Sequence, residues 1–104
     1  MDFIDYQDKA RQTAVYPKEY AIYYPALGLS SEVGEINNKI KKRMRDGAEV
    51  NLEEAMGELG DVLWYVSQLA TDLGLSLDEI ANRNLEKLRG RMERGTLHGS
   101  KDPR

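Results

Sequence analysis

The chain has no cysteine. Disulfides and thiolate metal sites are therefore excluded, and the absence fits a reducing cytosol. No apolar run approaches the length of a transmembrane helix. Met1-Asp2-Phe3-Ile4-Asp5 carries neither the basic region nor the apolar stretch of a secretory leader. Positive charge is not in excess: 15 Lys and Arg against 18 Asp and Glu leave a net charge of −3, which argues against a general nucleic-acid binder. The one histidine, His98, reads as incidental rather than catalytic. Strand-like alternation, internal repeats and linker composition are all missing. What remains, in 104 residues, is one small cytoplasmic domain of the all-α class. A few helices in so short a chain bury a limited core and often complete it by oligomerising.

The pattern of apolar residues predicts about four helices. Phe3, Tyr6, Ala10 and Ala14 recur at helical spacing, so a first helix runs from Asp2 to about Tyr16, and Pro17 ends it. Pro25 suits the first turn of a second helix that stops at Asp46-Gly47, with Leu29, Val33, Ile36, Ile40 and Met44 as its apolar stripe. Asn51 and Glu54 have the spacing of a capping box, which opens a third helix that ends at Gly74. That helix is apolar over a wide arc, as in a bundle centre or an oligomer interface. Gly57 and Gly60 weaken it by about 1 kcal/mol each relative to Ala, and would let a neighbouring helix approach beside Glu58 and Asp61. Ser76-Leu77-Asp78-Glu79 caps a fourth helix that reaches about Arg94 before Gly95. The tail, residues 96–104, lacks periodicity and is expected to be mobile.

Two acidic pairs share one spacing: Glu32-x-x-Glu35 and Glu58-x-x-Asp61. Residues three apart lie on one side of a helix, so each pair aims two carboxylates in one direction. The pairs Asp2/Asp5, Asp5/Asp8 and Asp46/Glu49 have the same spacing but fall at helix starts or in loops, where solvated charge explains them. The pairs at 32/35 and 58/61 sit mid-helix among apolar residues. If the two helices face one another, four carboxylates converge. Two unit charges roughly 6 Å apart at an effective dielectric near 20 cost about 3 kcal/mol, so such a group must spread, protonate or bind cations. Mg²⁺ or Mn²⁺ are the natural occupants, with phosphates as further ligands. The residues alone leave two readings open, a metal site or a solvated acidic face.

Tyr24-Pro25-Ala26-Leu27-Gly28-Leu29-Ser30-Ser31-Glu32-Val33-Gly34-Glu35, then Lys41-Lys42, Arg45-Asp46-Gly47 and Glu58-Leu59-Gly60-Asp61-Val62-Leu63-Trp64-Tyr65, resemble the MazG-like nucleotide pyrophosphohydrolases of the all-α NTP pyrophosphatase superfamily. Asn84-Leu85-Glu86-Lys87-Leu88-x-x-Arg91 and Arg94-Gly95-Thr96-x-x-Gly99-Ser100 extend the likeness over nearly the whole chain. The resemblance implies hydrolysis of a (deoxy)nucleoside triphosphate to the monophosphate and pyrophosphate, for control of the nucleotide pool. It implies Glu32, Glu35, Glu58 and Asp61 as catalytic metal ligands for Mg²⁺, with Mn²⁺ as the alternative. The apolar arc of the third helix calls for a homo-oligomer, a dimer or, as the resemblance implies, a tetramer of two dimers; charge and hydropathy leave no nucleic-acid polymer and no membrane as partner. Rivals within the fold act on dUTP, a guanine nucleotide or phosphoribosyl-ATP; a rival of another class is a non-catalytic helical interaction module.

Five side chains are candidates for the phosphates: Lys39 and Lys42 on the carboxylate face of the second helix, and Asn84, Lys87 and Arg91 at i, i+3, i+7 on the fourth. Lys39 has a plainer reading, pairing with Glu35 at i, i+4. For the base, Tyr24, Trp64 and Tyr65 can stack and Gln7 can read polar edges, with Gln12, Tyr20 and Tyr23 nearby. Each aromatic taken singly also suits packing. Arg94, Lys101 and Arg104 would close over phosphates from the tail.

Overall fold

A computed structural model describes residues 1–95; the expectations for the tail, including His98, Lys101 and Arg104, lie outside the described residues. Four helices follow in order: α1 Phe3–Arg11, α2 Tyr23–Arg45, α3 Leu52–Asp72 and α4 Leu77–Glu93, with a single 3₁₀ turn at Lys18–Tyr20. No strand occurs among the described residues, and the all-α expectation holds. The two long helices, α2 and α3, pack as an antiparallel pair, α1 lies on α3, and α4 lies on α1 and α3.

Two of the four helices, α3 and α4, begin and end where local chemistry dictates, and α2 ends so. Asn51 accepts a hydrogen bond from the Glu54 N–H at 3.0 Å, and Ser76 from the Glu79 N–H at 3.2 Å, each satisfying an orphan donor of the first turn. At the far ends Gly47 and Gly74 take positive φ, and Leu75 N–H returns to the Ala70 carbonyl at 2.8 Å, a Schellman closure.

The first helix is shorter than its periodicity predicts. It stops at Arg11, not Tyr16, because the next side chains find distant partners. The Thr13 hydroxyl donates back to the Ala10 carbonyl at 2.7 Å and accepts from Trp64 Nε1 at 2.8 Å, and the Tyr16 hydroxyl donates to Asp72 at 2.8 Å. Those contacts outweigh a weak helical propensity. The second helix starts at Tyr23, two residues before Pro25. Pro25 is tolerated at the third position because no N–H there has an intrahelical acceptor. Just before it Ile22 has φ 71° and ψ −54°, a strained conformation for a β-branched residue, and its N–H donates to Asp72 at 2.9 Å.

Gln7 is the clamp between α1 and the α3–α4 turn. Its Nε2 donates to Thr71 Oγ1 and to the Leu75 carbonyl, both at 2.9 Å, and its Oε1 accepts from the Leu77 N–H at 2.8 Å. By its position on α1 alone this amide reads as free for a base edge. In the fold it is spent on caps.

Among the described residues no helix of the chain approaches Gly57 or Gly60: a Cβ at either position would meet nothing within 4 Å. Close approach occurs at Gly28 instead, against Tyr65. Among the described residues the apolar core is small, with Ala10, Ala70 and Leu77 its buried members. Leu52, Met56 and Leu59, at i, i+4 and i+7 on α3, are 77%, 69% and 60% exposed, and Val33, Ile40 and Met44 of α2 are exposed as well.

Candidate metal centre

The face of α2 turned toward α3 carries Glu32, with Ile36, Lys39 and Arg43 on following turns; opposite them stand Glu54, Ala55 and Glu58 of α3. Glu32, Glu58 and Asp61 each place one carboxylate oxygen within 4.8 Å of the others. Among these, Oε2 of Glu32 and Oε2 of Glu58 are buried without a hydrogen-bond partner. Glu35, expected in the same group, is not in it. It is exposed on the flank of α2, in a shallow depression shared with Ser31, Asn38, Lys39 and Lys42.

The electrostatics follow from that crowding. Contact with the Glu58 carboxyl, then burial, then the charges of Glu58, Asp61 and Glu35 push Glu32 up to about 7. Glu58 moves the other way. It accepts an ion-paired hydrogen bond from Lys39 Nζ, and this, with the Glu32 contact, lowers its pKa. The two carboxyls therefore titrate as a pair, with Glu32 pushed up by its neighbour and Glu58 held down beside Lys39. The Lys39 ammonium is itself held by Glu58, so its pairing is across the helices and not with Glu35.

The donor set suits a hard divalent cation. It is all oxygen and anionic, with two buried oxygens lacking partners, and sulfur and imidazole are absent from it. The 4.8 Å spread is wider than the roughly 3.0–4.2 Å between oxygens of a Mg²⁺ octahedron with bonds of about 2.1 Å, so the side chains would draw in to share one ion.

An aromatic row lies beside the acids. Trp64 meets Tyr65 edge-on with centroids 5.1 Å apart, Tyr65 is 6.4 Å from Tyr24, and Tyr24 stacks on Tyr16 at 4.8 Å and 20°. Burial first, then the charges of Tyr24, Glu32 and Asp61, raise the Tyr65 hydroxyl, which places it next to the carboxylates. Tyr16 escaped the sequence reading, as did Asp72, whose side chain is 1% exposed and pairs with Arg11 at 2.9 Å. Burial alone would raise Asp72, but hydrogen bonds from the Ile22 N–H, Tyr16 and Arg11 outweigh it and hold the carboxyl low. Only their separation of more than 50 residues, invisible to local patterning, hid them.

The remaining candidates are scattered. Asn84 and Lys87 are exposed on α4, and Lys87 lines a groove whose walls, Glu79, Asn82, Arg83 and Glu86, all belong to α4. Arg91 is buried. Tyr20, Tyr23 and Gln12 are exposed.

Residues 25–96 match the MazG nucleotide pyrophosphohydrolase domain, a span that holds α2 from Pro25 onward, α3, α4 and every acid of the site. The chain belongs to the MazG nucleotide pyrophosphohydrolase family. It is also 43% identical over 109 residues to the Gene 37 protein of Mycobacterium phage L5, across 95% of this chain and 96% of that one. No solved structure matches it significantly. This MazG chain has no helix, among the described residues, long and apolar enough to cross a membrane.

Proposed function

We propose that the protein is a divalent-metal-dependent hydrolase that cuts a (deoxy)nucleoside triphosphate to the monophosphate and pyrophosphate in the cytoplasm. The observation that carries this reading is the convergence of Glu32, Glu58 and Asp61 from two helices, with partnerless buried oxygens between them. Family membership supplies the reaction class. Glu32, Glu58 and Asp61 would hold Mg²⁺ or Mn²⁺, and Glu35, one turn along α2, can join them. When bound, such a cation would neutralise polyphosphate charge and favour ionisation of water. A carboxylate oxygen of the cluster would accept a proton from the water that attacks the α-phosphorus, with the bond from that phosphorus to the bridging oxygen breaking and pyrophosphate leaving.

Lys39 and Lys42, which line one depression of α2 with Glu35, would receive the leaving phosphates. Tyr24 and Trp64 would offer ring faces for the base, with Tyr65 packed between them and the acids. The site is completed in a dimer or a tetramer. Burying a Leu or Met side chain yields about 1.5–3 kcal/mol, and Leu52, Met56 and Leu59 alone leave three such contributions in water. A second copy covering that face can also bring Asn84 and Lys87 of its α4 to the phosphates.

Product-identified assays over all standard NTPs and dNTPs test the proposal. Pyrophosphate release that requires Mg²⁺ and vanishes in Glu58→Gln and Asp61→Asn, with folding retained, is the expected result. Release of inorganic phosphate, or no turnover of any nucleotide, overturns it.

A further inference from the structure

We propose that Tyr65, seated on Gly28, is a positioning residue that sets the spacing of α2 and α3 at which Glu32 meets Glu58 and Asp61. This deepens the metal reading above and rests on it. Gly28 lies one turn before Glu32, and Tyr65 one turn after Asp61, so in the antiparallel pair the two form the layer next to the carboxylates. A Cβ at Gly28 would stand 2.5 Å from Tyr65 Cζ and 2.7 Å from Cδ1, and closer still to Cε1. The ring therefore rests directly on the α2 backbone. Here the helices touch with no side chain of α2 between them.

The ring cannot easily step aside. Trp64 abuts it edge-on, and Tyr24 stands on another side, itself stacked on Tyr16, which hydrogen-bonds to the buried Asp72. On the other side of the acids α2 and α3 are joined through long side chains, Lys39 to Glu58 and Arg43 to Glu54, around a cavity of about 20 Å³. Such flexible links can follow a change of spacing, whereas the Gly28–Tyr65 layer, ring against backbone, sets it. An added methyl at Gly28 demands a shift of roughly 1 Å to regain van der Waals contact, and Mg²⁺ tolerates little departure from near-octahedral geometry.

Mn²⁺ affinity, measured by calorimetry or electron paramagnetic resonance on the full chain, tests this. Gly28→Ala and Tyr65→Leu are each expected to weaken Mn²⁺ binding by about 10-fold or more, as misplacement near 1 Å does at an ordered site. Tyr65→Phe, which keeps the ring, should bind within about threefold of wild type, under 1 kcal/mol. Leu77→Ala, buried in a different layer, should lower the melting temperature without touching Mn²⁺ affinity. Wild-type affinity in both Gly28→Ala and Tyr65→Leu overturns the positioning role and leaves the metal site standing. So does equal weakening in Leu77→Ala, which would trace the effect to general stability. A wild-type protein that takes up no Mn²⁺ overturns the metal reading and the positioning role together.

Discussion

Glu32 makes the metal site a pH sensor in a direction that can be worked out. Its carboxyl, raised from 4.5 to about 7 by Glu58 and by burial, carries a proton in the metal-free protein at mildly acid pH. A metal ligand must give that proton up, so metal binding and deprotonation are linked. With a pKa of about 7, roughly 3% of Glu32 is ionised at pH 5.5 and nearly all at pH 8.5, so Mg²⁺ affinity should rise about 30-fold between them. Below pH 7 the slope approaches tenfold per pH unit, and above it flattens. Stability of the metal-free protein runs the opposite way. Because the folded pKa exceeds the unfolded one, the folded state binds more protons between about pH 4.5 and 7; stability falls as pH rises through that window. Glu58 and Asp72, whose pKa values are lowered, lose their contributions only at more acid pH. Calorimetric Mg²⁺ titrations and melting curves from pH 5.5 to 8.5, on wild type and Glu32→Gln, read both trends. A Mg²⁺ affinity flat across this range in the wild type, or a slope that survives in Glu32→Gln, refutes the linkage.

Lys39→Met removes the cation that competes for Glu58, so Mg²⁺ should bind several-fold tighter while pyrophosphate release slows; calorimetry and product assays separate the two effects. Asp72→Asn leaves Arg11, Tyr16 and the Ile22 N–H around a neutral amide in a buried place, and should cost about 2–4 kcal/mol in urea denaturation. Ile22→Gly relieves a positive φ at a partly exposed side chain, and should raise the urea midpoint by about 1 kcal/mol of stability.

Legibility in the sequence follows the range of each interaction. The starts of α3 and α4 are readable because Asn51 and Ser76 bond to N–H groups three residues on. The ends at Gly47 and Gly74 are readable because positive φ is a local demand. The end of α1 is not, since Trp64 and Asp72, which hold Thr13 and Tyr16 out of the helix, are 51 and 56 residues away. Gln7 fails for the same cause: its three partners stand 64 to 70 residues downstream.

The acids show where spacing stops being informative. An i, i+3 pair shares a side of a helix, but its members are still about 60° apart around the axis. When α2 turns Pro25, Gly28, Glu32, Ile36 and Lys39 toward α3, the seam takes Glu32 and leaves Glu35 on the flank beside Lys42. Rotation of α2 about its own axis decides this, and that rotation is fixed by volume, by a glycine at 28 that admits a ring where any larger residue would not. Gly57 and Gly60, equally permissive by composition, face away and admit nothing. Composition identifies which residues permit contact; only the packed helices choose among them, and here the choice brings three carboxylates to one point and sends the fourth toward the lysines.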